Sequence, residues 1–216
     1  MYLQDPNYIR AIKKSTNLAI LDIEGKLPID PLELIHKHGW QVFTYSEVAL
    51  ESGQSIQQVC KYFHSNESVT FCNYANPDYP LYKIFYNDTL SIKEINMALA
   101  HEIGHITLGH FCDPAVTRLN FSLNTIVNPE IAPHLETEAN IYAINLLCPA
   151  PLFDVYKLGE DDIIAAFNIS SETAKYCLKF NRLLAKLIKL EDRREITKKF
   201  GFAIREKVFK PKTKRP

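Results

Sequence analysis

No apolar run in this 216-residue sequence approaches the length needed to cross a bilayer. The opening stretch MYLQDPNYIRAIKK has no apolar h-region, so neither a membrane span nor a secretory signal is expected. No CxxC pair occurs among Cys60, Cys72, Cys112, Cys148 and Cys177, and an odd number of cysteines argues against a disulfide framework. Free, mostly buried thiols in a cytoplasmic protein are the expectation. Internal repeats and low-complexity tracts are absent too. Net charge is zero, but only on average. Residues 179–216 carry 14 Lys and Arg against 4 Asp and Glu, a net of +10, which leaves −10 for residues 1–178. Such segregation suits a basic tail packed on its own acidic body, or a solvated face; nucleic-acid contact is the less favoured alternative.

What is present is an ordinary globular composition, 46% hydrophobic and 23% charged, able to bury a core. The first half alternates short helical and strand-like pieces. PIDPLELIHKHGW opens with prolines, where a helix would begin, and stops at Gly39. WQVFTY alternates as a strand should, SVTFCNY is a second candidate strand, and LYKIFYND a third, closed by Asn87-Asp88. A small sheet is therefore expected before the stretch LAHEIGHITLGH.

That stretch falls in a well-marked helix. Ser91 and Glu94 have capping-box spacing, each side chain satisfying an amide at the helix start. Ile92, Ile95, Leu99, Ile103 and Ile106 form one apolar stripe, and Gly109 is placed to end the helix. A loop rich in Pro and Asn follows, then a second helix through PHLETEANIYAINLLCPAP between Pro133 and Pro149. DDIIAAFNISSETAKYCLKF reads as helix, turn at residues 168–170, and helix. A long amphipathic helix through LLAKLIKLEDRREITKKF and a loose KPKTKRP tail complete the chain.

Histidines four apart on a helix stand one above the other, so His101 and His105 can reach one cation. Glu102 projects beside the same face without competing for coordination. Two ligands and a carboxylate base in this pattern point to zinc (Zn²⁺) hydrolysis, since bound zinc brings water's pKa to about 7, within reach of a carboxylate base. Mid-helix Gly104 costs about 1 kcal/mol relative to alanine, which suggests a close approach by another backbone or the site.

The third ligand lies elsewhere. His110 is five residues past His105, about 500° around a continuing helix, and is read as pointing away, a residue behind the site or on the surface. Glu136 and Glu138 in LETEAN differ by about 200° of rotation, so only one can face the histidines. Glu138 is preferred, because its neighbour Ala139 is small enough to let the two helices pack closely.

ALAHEIGHITLGH followed by ETEANIYAINLLCPAPLF resembles the ImmA/IrrE family of metallo-endopeptidases, whose pattern is AHExGH and then E-A-N-x-F-A-x-x-L-L-M-P. Tyr142 stands for the usual Phe and Cys148 for the usual Met, the latter suggesting oxidation sensitivity. The resemblance spans most of residues 28–185. It implies zinc ligands His101, His105 and Glu138, with Glu102 as general base. It also implies a cytoplasmic peptidase that cuts a repressor-type DNA-binding protein, in genes of mobile elements or stress responses. No N-terminal helix-turn-helix domain precedes the pattern, so that protein substrate is expected to be a separate chain. The expected fold is α+β: a small sheet packed on the HExxH helix and a second ligand-bearing helix. The domains would be a zincin-like metallopeptidase domain at residues 1–155 and a small helical segment with a basic tail at 156–216. His134, Tyr142 and Tyr86 are candidates to stabilise an oxyanion. The alternative is a regulator or sensor with little turnover, using the fold to bind a ligand, a partner protein or nucleic acid.

Overall fold

In the computed structural model, residues 6–73, 81–112, 117–120, 124–127 and 133–210 are described. In chain order the elements are α1 (Pro6–Asp22), α2 (Pro31–Lys37), β1 (Gln41–Thr44), α3 (Tyr45–Ser52), α4 (Ile56–Phe63), β2 (Ser68–Asn73) and β3 (Leu81–Tyr86). There follow α5 (Ile92–Leu108), a 3-10 turn (His110–Cys112), β4 (Thr117–Asn120), β5 (Asn124–Val127) and α6 (Pro133–Leu147). The last are α7 (Pro151–Tyr156), α8 (Glu160–Phe167), α9 (Ser171–Leu187), α10 (Leu190–Ile204) and a π-helical turn (Arg205–Phe209). The protein is thus mixed α and β, and mostly helical. No helix among the described residues is long and apolar enough to cross a membrane.

Two compact units divide the chain, one of residues 30–143 and one joining 1–29 to 144–216. A boundary at 155 would fall inside α7; compactness instead groups the N-terminal helix with the C-terminal ones.

The unit of residues 30–143 holds a five-stranded sheet in the order β1-β3-β2-β5-β4. β1 runs parallel to β3, and the other pairings are antiparallel. β2 pairs with β3 along its whole length, from Ser68↔Tyr86 to Asn73↔Leu81. On its other side it pairs with β5 only at Cys72 and Asn73. Local signals account for most boundaries. β1 stops short of Tyr45 because Thr44 and Glu47 form a capping box that starts α3. Ser55 and Gln58 do the same for α4. Tyr45, Val59 and Phe63 form a buried cluster against which Val69, Phe71 and Phe85 pack from the sheet. The opposite face of β2 meets α5. β4 and β5 lie within the stretch read as a loop. Residues 113–116, 121–123 and 128–132 around them are outside the described residues, as is the tail from 211.

In the other unit, α1, α7, α9 and α10 pack together. The single long helix expected near the C-terminus is two. Ile188 is buried in an extended conformation (φ −95°, ψ 132°) and breaks the run between α9 and α10. Glu191 and Asp192 then sit in the first turn of α10, where the helix dipole favours negative charge.

Candidate metal centre and active site

α5 forms as its sequence dictates. Ser91 and Glu94 make the reciprocal capping bonds, and Gly109 (φ +74°) ends the helix in the left-handed conformation that glycine adopts without strain. The apolar stripe is buried from Ile95 onward, and Ala98, Ala100, Glu102, Gly104 and His105 are buried as well. Both faces of the helix are therefore covered. At Gly104 an added Cβ would meet Ala139 O and Tyr142 Cδ1 at 3.2 Å and Ala139 Cα at 3.3 Å. Hydrogen in place of a methyl is what lets α6 lie this close.

His101 and His105 converge, with their Nε2 atoms 2.8 Å apart. Glu136 enters from the first turn of α6. Its Oε2 is 3.1 Å from His101 Nε2 and its Oε1 3.5 Å from His105 Nε2. Ligand atoms of these three residues lie within 4.8 Å of one another, as a metal centre requires.

Glu138, expected beside the histidines, is turned elsewhere and must be replaced by Glu136 in this cluster. Its Oε2 is 3.2 Å from His110 Nε2, with both side chains 1% exposed. The reason is helical rotation. Glu136, Ala139, Asn140 and Ala143 recur at i, i+3, i+4 and i+7 and share the face toward α5. Glu138 is about 100° from Ala139, whereas Glu136 is only about 60° away. The close approach of Ala139 to Gly104 therefore favours Glu136 rather than Glu138. Of the two places expected for His110, behind the site or on the surface, it takes the first, although it does not point away from His105. Its Nδ1 lies 3.0 Å from His105 Nδ1, because the helix ends at Leu108 and the turn after Gly109 brings His110 back.

Proton positions follow from the partners. The Asn140 side-chain oxygen is 2.9 Å from His101 Nδ1 and can only accept, so His101 donates from Nδ1 and keeps a lone pair on Nε2. That lone pair faces His105 Nε2 and the Glu136 carboxylate. Burial pulls the His101 pKa down, but the Glu136 carboxylate, able to accept a hydrogen bond from a protonated Nε2, and the charges of Glu102 and Glu136 outweigh it, and the net shift is upward. For His105 burial prevails and the shift is downward. Burial would raise Glu136, yet its two histidine partners hold it well below the usual carboxylate range. Acceptor atoms held together in this way fit a cation, and two imidazoles with a carboxylate suit zinc.

Glu102 is 6% exposed, and its Oε1 accepts a 2.8 Å hydrogen bond from Ser68 Oγ on β2. Nothing in the sequence pattern singles out Ser68, which lies far from the HExxH motif and joins it only through the pairing of sheet and helix. A cavity of about 410 Å³ opens over the cluster, bounded by Ser68, Val69 and Thr70 of β2, Met97 and Ala98 of α5, and Glu136 and Asn140 of α6. His134, Tyr142 and Tyr86 are not among its lining residues. Tyr142 instead packs against Gly104, with its hydroxyl 3.3 Å from Thr107 Oγ1. Cys148 belongs to the other unit and is buried; burial, then neighbouring Cys177, pushes its thiol pKa up, the opposite of a reactive thiolate.

A peptidase family model described as the IrrE N-terminal-like domain matches residues 65–179, just over half of the chain. No curated protein matches, and no solved structure does.

Proposed function

Since the chain belongs to the IrrE N-terminal-like domain family of peptidases, we propose that it is a zinc-dependent endopeptidase acting on a separate repressor-type protein inside the cell. The observation that carries this reading is the convergence of His101, His105 and Glu136 beside a buried, oriented Glu102.

His101 Nε2, His105 Nε2 and a Glu136 oxygen would hold the zinc. Bound there, zinc supplies Lewis acidity, which makes water a competent nucleophile near neutral pH. Glu102 is the proton carrier. Ser68 engages its Oε1, leaving Oε2 to accept the proton of the attacking water and to deliver it to the leaving amine nitrogen. An extended peptide has a natural seat. Toward its Ser68 end, the outer edge of β2 has no strand partner among the described residues, and this end borders the cavity. A substrate segment adding there as a strand would gain main-chain hydrogen bonds beside the cluster.

The test pairs metal analysis with Glu102→Gln. Purified without chelator, both forms should hold about one zinc per chain, and only the native form should cut a helix-turn-helix repressor encoded beside it. The reading fails if zinc is absent and His101→Ala changes nothing. Equal cleavage by Glu102→Gln would remove Glu102 as the base. Zinc binding without cleavage of any such repressor would favour the sensor alternative.

A further inference from the structure

His105 and His101 are held by different means. His101 is backed by one amide, Asn140, at the protein surface. Behind His105 lies a longer arrangement, buried throughout: His105 Nδ1 is 3.0 Å from His110 Nδ1, and His110 Nε2 is 3.2 Å from Glu138 Oε2. His105 and His110 are each 3% exposed and Glu138 1%. We propose that His110 and Glu138 are positioning residues, forming with His105 a buried hydrogen-bonded chain that fixes the tautomer and ring orientation of His105.

With His110 carrying a single ring proton, the chain has one direction. An ionised Glu138 can only accept, so the His110 nitrogen facing it, Nε2, carries the hydrogen. Neutral His110 then has its lone pair on Nδ1, and His105 Nδ1 must be the donor to it. That leaves the His105 lone pair on Nε2, aimed at His101 and Glu136. The opposite tautomer would point an N–H into the cluster and block a metal. A carboxylate usually backs a ligating histidine directly. Here an imidazole stands between, so Glu138 polarises His105 without placing its charge against the ring. The geometry depends on Gly109, whose left-handed turn swings His110 back under the last turn of α5.

The inference rests on His105 as a metal ligand, so its test includes a metal-free readout. In the zinc-free native chain, imidazole ¹⁵N shifts should show His105 protonated at Nδ1 and unprotonated at Nε2. Finding the proton on Nε2 overturns the proposal, whether or not the protein binds zinc. The second readout is zinc affinity, measured by competition with a chromogenic chelator. His110→Phe and Glu138→Ala should each weaken it by roughly 10–100-fold, the usual effect of losing such a supporting group. The double variant should be no weaker than the worse single one, because the two act in series. His110→Gln, whose amide can both accept from His105 and donate to Glu138, should recover most of the loss. A folded His110→Phe with native affinity, or independent and additive losses, would overturn the chain. Failure of the native protein to bind zinc, with the His105 proton still on Nδ1, would instead count against the zinc reading above.

Discussion

Ser68 and Thr70 are two apart on β2 and share the face turned to α5. Ser68 donates to Glu102, whereas Thr70 Oγ1 is buried with no partner among the described residues. Their substitutions should behave oppositely. A hydrogen bond to a charged group is worth about 1.5–3 kcal/mol, so Ser68→Ala should lower kcat by roughly 10–100-fold, with zinc content retained. Steady-state kinetics and metal analysis check this. Thr70→Val keeps the shape and removes an unsatisfied hydroxyl, which costs about 1–3 kcal/mol when buried. Thermal unfolding should show no loss, or a gain of about 2–4 °C for each kcal/mol recovered. A lower Tm would mean that water bonds the hydroxyl in solution.

Between elements, the decisive contact is Gly104 against Ala139. Gly104→Ala would gain about 1 kcal/mol of helix propensity, but overpacking costs about 1–3 kcal/mol. The neighbouring atoms are mainly backbone, which yields least. A net loss of up to about 2 kcal/mol is expected from these two terms. Glu136 rides on α6, so zinc affinity should fall as well; denaturant unfolding and chelator competition measure the two effects. Sequence reading performs well on α5 because its signals are local: the capping box, the stripe and Gly109 all act within a few residues. On α6 the glutamate brought beside the histidines is Glu136, as the i, i+3, i+4 relation of Glu136, Ala139 and Asn140 implies, where Glu138 is expected from its small neighbour. His110 lies behind His105 because the helix ends at Gly109; only a helix continued past that glycine would point it away. β4 and β5 were missed because pairing, not propensity, defines strands of four residues.

At the scale of the whole molecule, some basic groups of the C-terminal segment have partners within the unit joining 1–29 to 144–216. Arg193 pairs with Asp154 at 3.4 Å, Lys210 with Glu206 at 2.5 Å, and Lys199 Nζ donates to Ile20 O. The unit's buried polar hub is Asn145, whose amide donates to Ser15 Oγ at 2.8 Å and Thr16 Oγ1 at 3.1 Å and accepts from Ala150 N at 3.3 Å. Asn145→Ala would remove the partner of Ala150 N and the donor to Thr16 Oγ1, while Ser15 keeps its bonds to Ala11 O and Ile12 O, for a loss of about 2–4 kcal/mol. Amide hydrogen exchange should then accelerate in α1.

If a target segment adds to β2 as a strand, as proposed above, this has a consequence for the target. A strand-shaped seat accepts no helix and no compact domain, so the scissile segment must first leave its own fold. Where that opening is fast and reversible, the cleavage rate follows the small fraction of target molecules open at any moment. Susceptibility would then be set as much by the target's local stability as by its sequence. Whatever pries that segment loose, or clamps it shut, would govern proteolysis without touching the peptidase.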